Sequence, residues 1–119
     1  MEKKIKIGLI GLGTVGSGVF KTLKNFDYIE VVKIAVRNIN KPRNIEGLDN
    51  SILTDNPYDV VNNPEIDIVA ELVGGLNPAF DLIKTAIENG KHIVTANKEL
   101  LAKRGEELFE IAEKNNKVI

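Results

Sequence analysis

Ile5-Lys6-Ile7-Gly8-Leu9-Ile10-Gly11-Leu12-Gly13-Thr14-Val15-Gly16 is the stretch that decides the reading of this chain. Ile5–Ile10 is an apolar, largely β-branched run of strand length. From Thr14 to Asn25 the spacing predicts a helix, with Val15, Val19, Phe20, Leu23 and the adjoining Phe26 on one apolar stripe. Between the two lies the glycine spacing G-x-G-x-x-G. Alone that spacing is weak. Directly behind a strand and in front of an amphipathic helix, it is the fingerprint of a turn that takes the pyrophosphate of a dinucleotide. Gly11 permits the tight turn out of the strand, Gly13 lets backbone approach the phosphates, and Gly16 lets the helix lie close to the strand. Leu12 sits within the turn. The free N–H groups of Thr14, Val15 and Gly16 face the anion, and the helix dipole favours it.

Outward from this stretch, short β-branched runs alternate with helical periods. Further strands are expected at Glu30–Val36, Ser51–Thr54, Ile66–Leu72 and His92–Thr95, with a stub at Lys117–Ile119. Pro57–Asn62 reads as a short helix. Pro78–Asn89 reads as a well-punctuated one: Asn77 as cap, Pro78 opening it, Ala79, Leu82, Ile83, Ala86 and Ile87 as its stripe, and Gly90 as its left-handed stop. Lys98–Asn115 is helical with Gly105 in its middle, where a break is expected. The polar loop Asn38–Asn50 reads as the most mobile segment. Strands separated by helices must pair in parallel, because parallel pairing needs crossovers. The expected fold is therefore α/β: a Rossmann-like, doubly wound, mostly parallel sheet with helices on both faces.

Composition bounds the rest. The chain has 119 residues and a formal charge of −1 (16 basic against 17 acidic), with no Cys and no Trp. That is one domain with a genuine core. The charge balance argues against nucleic acid or a membrane surface as partner, which would need a basic excess. Without Cys there is no thiolate nucleophile and no disulfide, which fits a cytoplasmic setting. No apolar run is long enough for a signal peptide behind the basic start, nor for a membrane span. For a complete two-substrate enzyme, 119 residues are few.

Four places beyond the fingerprint carry candidate chemistry. An acidic residue binding the ribose hydroxyls of NAD is expected about 20 residues past the glycines. There the chain has Arg37, in Ala35-Val36-Arg37-Asn38. A guanidinium pairs with a 2′-phosphate and stacks on adenine, so NADP is favoured over NAD, with Lys41 and Arg43 as possible added charge. Gly74 and Gly75 either let backbone approach the cofactor or form a plain left-handed turn. Lys98 follows Asn97, a cap candidate, and a cation at a helix N-terminus opposes the dipole, so Lys98 looks placed for a ligand. Glu71 either orients neighbouring backbone or is solvated. His92 reads as structural, Lys103 and Arg104 as solvent-facing charges. No metal-ligand spacing is present.

With these residues in hand, the sequence resembles the N-terminal nucleotide-binding part of homoserine dehydrogenase over nearly its whole length. The matching stretches are Ile10–Gly18, Ala35–Asn38, Asp67–Gly75 and Val94–Ala102. The last, Val-Thr-Ala-Asn-Lys-Glu-Leu-Leu-Ala behind Gly-Lys-His-Ile, is the specific one. The resemblance implies an oxidoreductase interconverting L-homoserine and L-aspartate 4-semialdehyde with NAD(P)(H), on the route to threonine and methionine. It implies that Gly11–Gly16 hold the pyrophosphate, that Arg37 lies by the adenosine 2′ position, and that Gly74 and Gly75 line the cofactor. Lys98 matches the lysine that reaches the nicotinamide and substrate. The resemblance also implies a substrate domain beyond residues 1–119, carrying a further lysine, acidic substrate ligands and most of the interface of a homo-oligomer. The 119 residues are then expected to bind cofactor without turnover. A stand-alone dinucleotide-binding or redox-sensing module is the alternative of another class. Aspartate dehydrogenase and dihydrodipicolinate reductase share such a first domain, and Thr95–Ala102 argues against them.

Overall fold

Ile7, Gly8, Leu9 and Ile10 are all buried, as befits the middle strand of a sheet covered on both faces. The computed structural model describes residues 4–75 and 77–119; the first three residues of the basic start lie outside them. The order along the chain is β1 (Ile5–Ile10), α1 (Thr14–Leu23), β2 (Ile29–Ala35), a single 3₁₀ turn (Asn50–Ile52), β3 (Leu53–Thr54), α2 (Tyr58–Val61), β4 (Ile68–Glu71), α3 (Ala79–Glu88), β5 (His92–Thr95) and α4 (Lys98–Lys114). The sheet order is β3-β2-β1-β4-β5, and every pairing is parallel. This is the doubly wound α/β arrangement that the alternation predicts.

Each face has its own core. Ile7, Leu9, Ile34 and Ala70 point to one side, where Phe20 of α1 meets them together with half-buried Val19 and Leu23. Ile10, Val69 and Ile93 point to the other, against Val60 and Val61 of α2, Leu82, Ile83 and Ala86 of α3, and Leu100 and Leu108 of α4. Gly8 faces α2: a Cβ there would come within 2.6 Å of Val60 and 2.7 Å of Ile66. Helices thus cover both faces.

Several local expectations shift. In α1 the inward position of the first turn belongs to Gly16, so Val15 points outward and is exposed; Phe26, beyond the helix, is exposed as well. Asn77 does not cap α3. The boundary residue is Pro78, which has no acceptor side chain, and Asn77 stands one residue outside the capping position. Gly90 adopts φ 85° and stops the helix as expected. Ser51 is drawn into the 3₁₀ turn because Asp49 accepts a hydrogen bond from its N–H (2.9 Å), which leaves β3 only two residues. The stub Lys117–Ile119 forms no strand. Ile93 N–H donates to the Val118 carbonyl (2.9 Å), but Val118 N–H turns to His92 Nδ1 (3.1 Å), so the ladder ends after one bond. His92 is structural in this way.

The break in α4 falls at Arg104 (φ −134°, ψ 17°), one residue before Gly105. Gly105 is buried, and the Arg104 guanidinium lies 3.3 Å from the centre of the Phe80 ring while pairing with Glu107 at 3.0 Å. Arg104 therefore joins α3 to α4 and is no idle surface charge. At the amino edge of the sheet, Lys91 is 2% exposed and donates to the carbonyls of Asn63 (2.6 Å) and Ile66 (3.0 Å). Burial pushes its pKa down, with Asp67 acting weakly against that.

Candidate dinucleotide-binding site

In an open parallel sheet, ligands sit beyond the carboxyl ends of the strands, where the order reverses. Here that place is the gap between β1 and β4. A cleft of about 770 Å³ opens there, lined by Gly11, Leu12 and Gly13 from the glycine turn, Val36 to Asn38 after β2, and Glu71 to Gly74 after β4. Three of the four candidate segments thus meet around one cleft.

The turn is built as its glycines require. Gly11 has φ 105°, a conformation that side chains disfavour, and its N–H donates to the Ala35 carbonyl (2.9 Å). A Cβ on Gly16 would collide with the Gly11 carbonyl, so its missing side chain is what seats α1 against the turn. Gly13 differs from both. Its φ of −79° suits any residue and no atom stands within 4 Å of where its Cβ would be. Neither its φ nor packing calls for glycine at this wall of the cleft. Gly13 is also the N-cap of α1, with no side-chain cap and no acidic residue in the first turn. The N–H groups of the first turn, Thr14 to Gly16, accordingly receive no side-chain cap.

Arg37 is exposed on the β2 side of the cleft. Lys41 and Arg43 line the same wall, but the Arg43 guanidinium is engaged, donating to the carbonyls of Lys41 (3.0 Å) and Asn38 (2.8 Å). It ties the loop behind Arg37 together. On the β4 side Glu71 is 1% exposed. Its carboxylate accepts hydrogen bonds from Val73 N–H (3.1 Å), Gly74 N–H (2.9 Å) and the Thr95 hydroxyl (2.8 Å). Of the two readings open for Glu71, the structure decides for the orientation of backbone. Gly74 and Gly75 adopt φ 91° and 83°.

Gly75 and Lys98 do not line the cleft wall, although Gly75 directly follows Gly74, which does. Asn97 is 4% exposed, caps α4 by accepting from Leu100 N–H (3.0 Å), and donates through Nδ2 to the Gly75 carbonyl (2.5 Å). The start of α4 is thereby fixed to the glycine turn after β4, and Lys98 is exposed beside it. Sequence reasoning misses Asp55, Pro78 and Leu82, which complete the wall from the ends of β3 and α3. Their position just after a strand, or at a helix start on the same edge, is the signal that could have found them. Nearby, the Tyr58 hydroxyl donates to Asp81 (2.5 Å), tying α2 to α3, and this bond raises the tyrosine pKa.

The family model of the homoserine dehydrogenase NAD-binding domain matches residues 11–119. The chain belongs to the homoserine dehydrogenase family. A homoserine dehydrogenase from Synechocystis is 46% identical over 115 residues, which is 91% of this chain and 26% of that protein. That of Bacillus subtilis is 37% identical over 122 residues, 95% of this chain and 28% of that protein. Among solved structures, the homoserine dehydrogenase of Thiobacillus denitrificans superposes with TM-score 0.86 at 49% identity, covering 98% of this chain and 29% of that one. The enzyme from S. aureus gives TM-score 0.90 at 37% identity, covering 99% and 32%. The chain therefore spans between a quarter and a third of the length of these homoserine dehydrogenases, and what it spans is their NAD-binding domain.

Proposed function

We infer that residues 1–119 are the NADP(H)-binding unit of a cytoplasmic homoserine dehydrogenase. The rest of its homo-oligomeric subunit supplies the substrate domain for the interconversion of L-homoserine and L-aspartate 4-semialdehyde. The observation that carries the cofactor reading is Gly13: a glycine demanded by neither fold nor packing, at the uncapped start of α1, on the wall of the cleft. The pyrophosphate would lie over Gly11–Gly16 and the adenosine over β2, beside Arg37. No acidic residue ends β2, and the Arg37 guanidinium there favours a 2′-phosphate, with Asp55 on the same wall at the end of the neighbouring β3.

The bound nicotinamide supplies hydride transfer. This chain's residues bind and orient it, with Gly74 and Gly75 giving backbone access at the β4 end. Lys98 is the catalytic candidate. At the rim its ammonium stabilises negative charge developing on the C4 oxygen of the substrate, in the way preorganised cations do in water-poor sites. The test is titration of NADPH and NADH against the chain, with and without homoserine. Tighter NADPH binding that homoserine leaves unchanged is expected. Equal affinity for the two nucleotides overturns the NADP reading, and binding of neither overturns the cofactor reading.

A further inference from the structure

A carboxylate buried to 1% exposure is costly unless it is well paired, and no cation pairs with Glu71 among the described residues. Its three donors show what the charge is for. Val73 and Gly74 offer backbone N–H groups from the turn after β4; Thr95 offers its hydroxyl from the end of β5. The Thr95 oxygen in turn accepts from Asn97 N–H (3.0 Å), and Asn97 returns to the same turn through its bond to the Gly75 carbonyl. The chain of bonds closes into a ring: Glu71, Thr95, Asn97, Gly75 and back along the backbone to Glu71. A Cβ added at Gly74 or Gly75 would meet nothing within 4 Å, so no neighbour braces that side of the turn; the ring of hydrogen bonds ties it to β4 and α4.

We propose that Glu71 is a positioning residue for the nicotinamide end of the dinucleotide. It locks the Gly74–Gly75 turn and the Asn97–Lys98 start of α4 into one rigid rim. The inference rests on the cofactor reading above. The glycine turn on β1 and Arg37 on β2 engage the adenosine and phosphate portion, which leaves the remaining half of the ligand to cross toward β4 and β5. A rim held in advance spares the ligand the cost of ordering two glycines and a helix start.

The experiment compares two probes on the full chain: NADPH, and 2′-phospho-ADP-ribose, which lacks the nicotinamide. Glu71→Gln replaces one acceptor oxygen by a donor, and Thr95→Val cuts the link to Asn97 while keeping the side-chain volume. Each variant is expected to bind NADPH about tenfold more weakly, the effect of losing one or two hydrogen bonds, with 2′-phospho-ADP-ribose affinity unchanged. The enhancement of NADPH fluorescence on binding should fall with it. In a Lys98→Ala background, Glu71→Gln should add less than it does alone, since both act at the same end. A merely structural role predicts equal weakening of both probes and additive effects, and either result overturns the proposal. If Glu71→Gln does not fold, Thr95→Val decides by the same criterion. Failure of the unaltered chain to bind 2′-phospho-ADP-ribose would instead strike the cofactor reading, and the positioning role with it.

Discussion

On the β1–β2 side the cleft is made of the glycine-turn backbone and an exposed arginine within the stretch Ile10 to Ile45, with Asp55 added from the end of β3. On the β4–β5 side buried Glu71 and Asn97 and half-buried Thr95 tie two loops together, by bonds between residues more than twenty positions apart, Thr95 with Glu71 and Asn97 with Gly75. The first half presents positive charge: a helix start without a cap, and a guanidinium at a strand end. The second fixes position, through a carboxylate, a hydroxyl and an amide that tie two loops together. Affinity and nucleotide preference should therefore be sensitive to single residues on the first side, and geometry to any member of the ring on the second.

The strongest test of this division is Gly16→Val. A side chain there runs into the Gly11 carbonyl, so we expect dinucleotide binding to fall at least about a hundredfold and folding stability to drop by about 1–3 kcal/mol. Gly13→Ala, with open space around it, should weaken binding while leaving the urea midpoint in place. A matching loss of stability in both would erase the distinction between a packing glycine and a ligand glycine.

Next in size is Arg37→Asp. Exchanging attraction for repulsion at the 2′-phosphate should lower the ratio of NADPH to NADH affinity by about ten- to a hundredfold, measured by fluorescence titration. An unchanged ratio would mean that the β2 side does not read charge. On the β4–β5 side, Asn97→Ala removes the cap of α4 and the bond to Gly75. We expect a cost of about 1–2 kcal/mol in urea denaturation, with 2′-phospho-ADP-ribose binding untouched.

The smallest effect belongs to neither half. Lys91 sits buried at the opposite edge, with its folded-state pKa pushed down. The unfolded chain then holds the proton between that lowered value and the ordinary one of about 10.4, so stability should rise with pH across that interval. Tyr58, raised by Asp81, works the other way above about pH 10, which confines the measurement to lower pH. Lys91→Met should flatten the rise without altering nucleotide affinity.

The first half was legible because its determinants are local. Strand, glycine spacing and helix adjoin one another, and Arg37 follows at a fixed count. Even there the helical period turns Val15 inward where the structure exposes it, because a period alone does not show that a glycine claims the inward position. The sequence points to Lys98 and the Gly74–Gly75 turn separately, yet nothing in their neighbourhood tells that Asn97 ties the start of α4 to Gly75. Glu71 stayed undecided, since a carboxylate at a strand end looks the same whether solvated or buried. Arg104 passed as a surface charge because Phe80, its partner, is far away in sequence.

By itself the sequence determined the parallel α/β order and the strand–glycine turn–helix unit, which rest on short-range periodicity and spacing, and the family, which rests on the motifs the chain shares with homoserine dehydrogenases. Only the tertiary structure decided that Glu71 is buried, that β4 and β5 share one rim, and that the C-terminal stub pairs by a single bond. Those outcomes depend on which donors the folded sheet brings within 3 Å of each acceptor, and contacts at long sequence separation leave no periodic trace in the chain.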